Sequence, residues 1–145
     1  MRRTAKRLLA RLPEFPRPWD VEALCRSLSE SRGRPLTLHA VDLPEFPFGM
    51  WIDDGRGDRI LYRSSATGYH RDHIILHEIC HMLVGPGKAA QRVATRTPTA
   101  HSDAEEELAE TFAALALKKV GRLRPKGVGP VELRAEELLG GTCGA

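Results

Sequence analysis

The stretch HIILHEICHMLVGPG, residues 73–87, decides how this chain is interpreted. It places His77, Glu78 and His81 at H-E-x-x-H spacing, on a segment whose apolar residues recur with a helical period. The Gly-Pro pair at 85–86 follows the last periodic residue, which predicts the end of the helix. We therefore expect a helix that presents both histidines on one side.

Helix geometry allows the two histidines to reach one metal ion. Each residue turns the helix by about 100°, so His77 and His81 project about 40° apart and lie one turn apart along the axis. Glu78 is turned about 100° from His77, which places it beside the ion. Zinc lowers the pKa of bound water to about 7, and Glu78 is predicted to act as the general base that takes the proton during hydrolysis. The opposite side of the helix is apolar and is predicted to face the core: Ile75, Ile79, Met82 and Leu83.

A third ligand is expected because a catalytic zinc ion usually has three protein ligands and one open position. The segment HSDAEEELAETFAALAL, residues 101–117, is the obvious donor, since it combines glutamates with an apolar helical stripe. Ala109 and Ala113 have small side chains, so another helix can approach closely on their side of the helix. Glu106 lies beside them, about 20° from Ala113 around the axis. Glu105 lies nearer the centre of the stripe. The helical wheel leaves Glu105 and Glu106 both open as the third ligand.

Together the two segments resemble the ImmA/IrrE family of small zinc metallopeptidases. HEICH, residues 77–81, is followed about 25 residues later by the pattern E-x-x-A-x-x-F-A, residues 106–113. The resemblance covers roughly residues 55–117. It implies a minimal gluzincin-like site in which His77, His81 and Glu106 hold one Zn²⁺ ion.

The resemblance also implies a biological role and shows where this chain differs. It implies limited regulatory cleavage of a protein partner, such as a helix-turn-helix transcriptional repressor. Glu110 stands where the family usually has asparagine. Asp72 and His73 stand where the family usually has an arginine and an aromatic residue before the motif, and Lys119 stands where it has a proline after the F-A pair.

The whole chain is predicted to form an α+β fold. We expect a small antiparallel sheet of about three strands packed on the zinc-site helix and on further helices. The segments PLTLHAV, GMWIDD and DRILYR are predicted strands, and the turn residues 54–57 are expected to join the last two as a hairpin. Ser102 and Glu105 have the spacing of a capping box. Helices are expected over about residues 1–12, from Asp20 to near Gly33, from Tyr69 to Gly85, from Ser102 to Val120 and from Val131 to Leu139.

Composition predicts a single domain over residues 1–145. A chain that is 41% apolar and 28% charged has the balance of a soluble globular protein. The apolar runs are too short for a membrane span or a signal peptide, and the three cysteines are odd in number, so a cytoplasmic protein with reduced thiols is expected. The basic segment 1–12 is interpreted as solvated surface, with an acidic or nucleic-acid partner as the alternative. The Gly-rich tail 140–145 is expected to fray.

Several other residues are candidates for contact with a substrate. His73 and His70 lie on the same side as the predicted ligands, one and two turns earlier respectively. Together with Tyr69 they are candidates for substrate binding or for stabilising the oxyanion of a tetrahedral intermediate. Polar residues at the edge of a cleft are the alternative interpretation. Tyr62 and His101 are further candidates for the same role.

Two other functions stay open at this stage. The first is a zinc-stabilised regulatory binding module, which predicts a fourth protein ligand that closes the site, such as Cys80 or His101. The second is a metal-free domain associated with DNA, which the basic termini alone suggest. Direct nucleic-acid binding is not expected of the peptidase, and nor is a membrane partner.

Overall fold

The order of helices and strands follows the order predicted from the sequence. The computed structural model describes residues 1–44, 46–85 and 101–122. Most of the Gly-, Thr- and Pro-rich loop predicted over residues 85–101, the predicted helix Val131–Leu139 and the tail 140–145 lie outside the described residues. The elements, in chain order, are α1 (Arg2–Ala10), α2 (Val21–Arg32), β1 (Leu36–Val41), β2 (Gly49–Asp53), β3 (Asp58–Arg63), α3 (Gly68–Val84) and α4 (Asp103–Arg122).

The predicted helix ends are confirmed by their capping contacts. The carboxylate of Asp20 accepts a hydrogen bond from the backbone N–H of Glu22, which caps the start of α2. That helix ends at Gly33, whose φ of 68° is the left-handed conformation that glycine adopts without strain. Ser102 and Glu105 form the predicted capping box, each side chain accepting from the other's backbone N–H at 3.2 Å.

The α+β class and the three strands are confirmed, but the sheet is mixed, whereas an antiparallel sheet was predicted. Its order is β1-β3-β2. The hairpin forms as expected, with β2 antiparallel to β3, while β1 pairs with β3 in parallel. The connection between β1 and β2 contains Pro44 and Pro47, which have no backbone N–H to donate to a strand ladder and so disfavour a direct hairpin between these two strands. Strand β1 therefore adds to the other edge of β3.

A buried carboxylate ties the sheet to the end of α2. Asp58 is 2% exposed, and its Oδ1 accepts a hydrogen bond from the indole nitrogen of Trp51 at 2.9 Å. Its Oδ2 lies 3.0 Å from Nε of Arg34 and 3.3 Å from a guanidinium nitrogen of Arg32. Because both oxygens have partners, this charge is stabilised in the interior. The contacts fix Trp51 on the sheet face.

The two long helices pack on each other, and α3 also packs on β2 and β3 of the sheet. The predicted apolar side of α3 is buried, including Ile75 and Ile79 at 0% exposure. Helix α4 packs against both α3 and α1, and its buried side includes the short side chains of Ala109 and Ala113. Short side chains let helices approach closely, which brings the polar residues of α3 and α4 within contact. In the described part of the chain, no helix combines the length and apolar character needed to cross a lipid bilayer.

Candidate metal centre

Helices α3 and α4 bring together the three residues predicted as metal ligands. Nε2 of His77 lies 3.0 Å from one carboxylate oxygen of Glu106, and Nε2 of His81 lies 3.0 Å from the other. The two Nε2 atoms are 3.2 Å apart. The ligand atoms of all three residues thus lie within 4.8 Å of one another, which is the arrangement that binds a single metal ion.

The structure distinguishes between Glu105 and Glu106, which the helical wheel left open as the third ligand. Glu106 contacts both histidines, whereas Glu105 is turned toward the start of its own helix. One oxygen of Glu105 accepts from the backbone N–H of Ser102, and the other lies 3.4 Å from Nδ1 of His101. Glu105 is therefore not part of this group.

The protonation states of the histidines suit a cation. Nδ1 of His77 lies 2.6 Å from Oε1 of Glu110, a contact that assigns a proton to Nδ1 and leaves Nε2 as the nitrogen that can bind a cation. Burial, and then the nearby His101, lower the pKa of His81 to about 4, so this ring is neutral near pH 7. Two imidazole nitrogens and a carboxylate that converge in this way need a shared proton or a cation between them. The donor set of two nitrogens and one carboxylate oxygen fits zinc.

Glu78 lies next to this group and is mostly removed from water. The residue is 7% exposed. Burial raises the pKa of Glu78 to about 7; the nearby His77 opposes this effect, and the carboxylates of Glu106 and Glu110 add to it. A carboxyl group with such a pKa can both accept and release a proton near neutrality.

Strand β2 approaches Glu78 so closely that only glycine fits at its first position. A Cβ atom added to Gly49 would lie 2.5 Å from Cγ2 of Ile74 and 3.1 Å from Oε2 of Glu78. The first distance is shorter than real carbon–carbon contacts allow. Gly49 therefore sets the distance between the strand and the helix that carries Glu78.

A cleft of about 480 Å³ opens between β2, α3 and α4. His77, Glu78 and Glu106 line it, so the candidate ligands and the predicted base face the same space. Histidines and glutamates of α3 and α4 line the helix side of the cleft, and residues 47–51 line the other. A peptide segment can therefore reach the candidate metal centre from solvent.

The residues predicted to close the site do not do so in the described part of the chain. No fourth His, Cys, Asp or Glu there joins the group of His77, His81 and Glu106. Cys80 is 1% exposed and belongs to the core. His101 stacks on His81, with ring centroids 3.6 Å apart and 12° between planes. Ring nitrogens point along their own plane, so a stacked His101 does not direct a lone pair at the point where His77, His81 and Glu106 converge.

Two of the residues predicted to contact substrate line the cleft, and two others do not. His70 and His73 line the cleft, His70 against the ring of Phe48 and His73 3.1 Å from Glu110. Tyr69 lies in the first turn of α3 and is not part of the cleft wall. Tyr62 is also outside the wall, and its ring lies 5.2 Å from the guanidinium group of Arg71.

Two contacts were not predicted from the sequence. Glu110 contacts His77, and the stacked ring of His101 covers His81 while Trp51 lies nearly parallel to it at 6.4 Å. The i, i+4 spacing of Glu106 and Glu110 is a signal for the first contact, because it places both carboxylates on one helix face. The stacking of His101 involves β2, α3 and the residues before α4, and no local sequence pattern indicates it.

Comparisons with protein-family models, with curated proteins and with solved structures give no match to this chain. The resemblance to the ImmA/IrrE family therefore stays a prediction that rests on the motifs of residues 77–81 and 106–113.

Proposed function

We propose that this chain is a zinc-dependent metallopeptidase that hydrolyses a peptide bond in a protein partner. The observation that carries the proposal is the convergence of His77, His81 and Glu106 within 4.8 Å, beside a buried Glu78 and on an open cleft. Three protein ligands with room for a further group are typical of catalytic zinc sites, whereas structural sites have four.

The residues of the chain suit the proton transfers of hydrolysis. Zinc, when bound by the three ligands, supplies a Lewis acid that polarises a carbonyl and makes water acidic. Glu78 accepts a proton from the attacking water and passes it to the nitrogen of the leaving amine. Its pKa of about 7 favours both transfers. Glu110 holds the proton of His77 on Nδ1, which keeps Nε2 directed at the ion.

The kind of partner is proposed from the family resemblance alone. We propose limited cleavage of a regulatory protein such as a helix-turn-helix repressor, in the cytoplasm. The open cleft supports a protein substrate, because an extended segment of a partner can lie along it. Neither a membrane nor direct nucleic-acid binding is part of the proposal.

The main alternative is a zinc-stabilised binding module without peptidase activity. That function requires a closed site with four protein ligands. Within the described ranges no fourth donor joins the group. This observation favours the peptidase.

The substitution Glu78→Gln tests the proposal. The variant keeps all three ligands and the shape of the side chain but cannot accept a proton. We expect it to bind one zinc ion per chain, measured by metal analysis, and to cleave a co-encoded repressor or an unfolded protein substrate about 10²–10⁴-fold more slowly.

The matched control is Glu107→Gln on the exposed side of α4, which is expected to cleave at the wild-type rate. Cleavage by Glu78→Gln at the wild-type rate would exclude the proposed mechanism. Equal partner binding by wild type and Glu78→Gln, with no cleavage by either, would favour the binding module.

A further inference from the structure

Helices α3 and α4 carry a second group of candidate ligands one turn away from the first. On α3, His73, His77 and His81 follow one another at intervals of four residues, and on α4 Glu106 and Glu110 have the same interval. The two helices are antiparallel in these contacts. His73, the first of the histidines, contacts Glu110, the later glutamate, and His81, the last histidine, contacts Glu106. Each histidine pair on α3 therefore faces one carboxylate on α4.

The second group has the short distances of the first. Nε2 of His73 lies 3.1 Å from Oε2 of Glu110, and Nδ1 of His77 lies 2.6 Å from Oε1 of the same carboxylate. The ligand atoms of His73, His77 and Glu110 all lie within 4.8 Å of one another. We call this group the outer register, and the group of His77, His81 and Glu106 the inner register.

We propose that the outer register is a second binding position for a divalent cation such as Zn²⁺, and that an ion occupies one register at a time. The two registers share His77, the inner through Nε2 and the outer through Nδ1. A neutral imidazole has one nitrogen with a free lone pair, because the other carries the proton. Binding in the outer register therefore requires the proton to move to Nε2, which removes His77 from the inner register.

The ligands of the outer register are more exposed to water than those of the inner register. The side chain of His81 is 3% exposed, whereas that of His73 is 32% exposed. Glu110 is also more exposed than Glu106, at 58% against 48%. Water competes more strongly for ligands that it can reach, so the outer register binds more weakly and exchanges its ion faster. An ion from solvent can meet the exposed register first and then move to the inner register.

Metal titration of single and double variants tests the two registers, and it does not depend on peptide hydrolysis. The probe is Co²⁺, followed by its visible absorption, and then Zn²⁺ in competition. Wild type is expected to bind one ion per chain. The substitution His81→Ala removes the inner register and is expected to leave one weaker ion per chain, which the double variant His81→Ala/His73→Ala loses.

The matched control is His81→Ala/His70→Ala. His70 lines the same cleft but belongs to neither register, so this double variant is expected to bind as His81→Ala does. Glu106→Gln provides a second way to remove the inner register, at an exposed position where folding is less affected. Circular dichroism of each variant establishes that it is folded.

The tautomer of His77 gives an independent readout by nitrogen NMR of the imidazole rings. The proton of His77 is expected on Nδ1 in metal-loaded wild type and on Nε2 in metal-loaded His81→Ala. Three results would overturn the proposal: no binding by both folded His81→Ala and folded Glu106→Gln, equal binding with and without His73 in the His81→Ala background, or two ions bound at once by wild type.

Discussion

The imidazole of His101 lies parallel to that of His81, with ring centroids 3.6 Å apart and 12° between the planes. Trp51 lies nearly parallel to His101 at 6.4 Å, and the carboxylate of Asp58 holds the indole nitrogen of Trp51. The buried ring of His81, a candidate metal ligand, thus lies at one end of a series of flat side chains that leads to the sheet. The orientation of His81 is therefore set partly from outside the metal-binding group.

Removal of the stacked ring is expected to weaken metal binding. In His101→Ala the ring of His81 loses the ring that stacks on one of its faces. Zinc affinity is therefore expected to fall about tenfold. Competition with a chromogenic chelator measures this change. His101→Phe keeps a flat ring and is expected to stay close to wild type, so equal weakening in both variants would contradict a role for stacking.

A methyl group at position 49 is expected to force the sheet and α3 apart. The substitution Gly49→Ala places a Cβ 2.5 Å from Cγ2 of Ile74, and overpacking of this kind costs about 1–3 kcal/mol. We expect a lower urea midpoint and slower peptide cleavage, since Glu78 also moves, with zinc content unchanged. Gly121→Ala is the control, because an added Cβ there meets nothing within 4 Å. Ile74→Ala combined with Gly49→Ala is expected to recover part of the cleavage rate.

Loss of the buried charge at position 58 is expected to destabilise the fold. Asp58→Asn retains an acceptor for Trp51 but removes the charge that pairs with Arg32 and Arg34. These arginines are partly exposed and can regain water, so we expect a cost of about 2–3 kcal/mol in the free energy of unfolding. Urea denaturation measures it. Asp42→Asn, at an exposed position, is expected to change stability by less than about 0.5 kcal/mol.

Two thiols are expected to be unreactive in the folded protein. Burial raises the pKa of both Cys25 and Cys80 to about 12, so neither forms appreciable thiolate at a pH of about 8. Iodoacetamide followed by mass spectrometry is expected to label these two residues only after denaturation. Protection of Cys80 should not change when EDTA is added, since it is not a metal ligand. Rapid labelling of Cys80 on chelation would contradict its assignment to the core.

Local features were predictable because neighbouring residues determine them. The cap at Asp20, the helix end at Gly33 and the capping box of Ser102 and Glu105 all depend on hydrogen bonds within a few residues. The same holds for the side of α3 that carries His77 and His81, since helical period alone places them together.

Features that join distant segments were not predictable in this way. Alternation identified β1 as a strand but not its parallel pairing with β3, because pairing depends on the path of the connection. The helical wheel could not choose between Glu105 and Glu106, since the choice depends on how α4 is rotated against α3. The stacking of His101 on His81 depends on both helix packing and the strand that carries Trp51.

Glu105 has a consequence for how the protein responds to heat. One of its oxygens closes the first turn of α4, and the other lies beside His101, the ring that covers His81. Helix ends unfold locally before the interior does. When this turn opens on warming, Glu105 no longer contacts His101, and His101 no longer covers His81. A metal ion held by His81 is then expected to dissociate at temperatures where the hydrophobic interior is still intact.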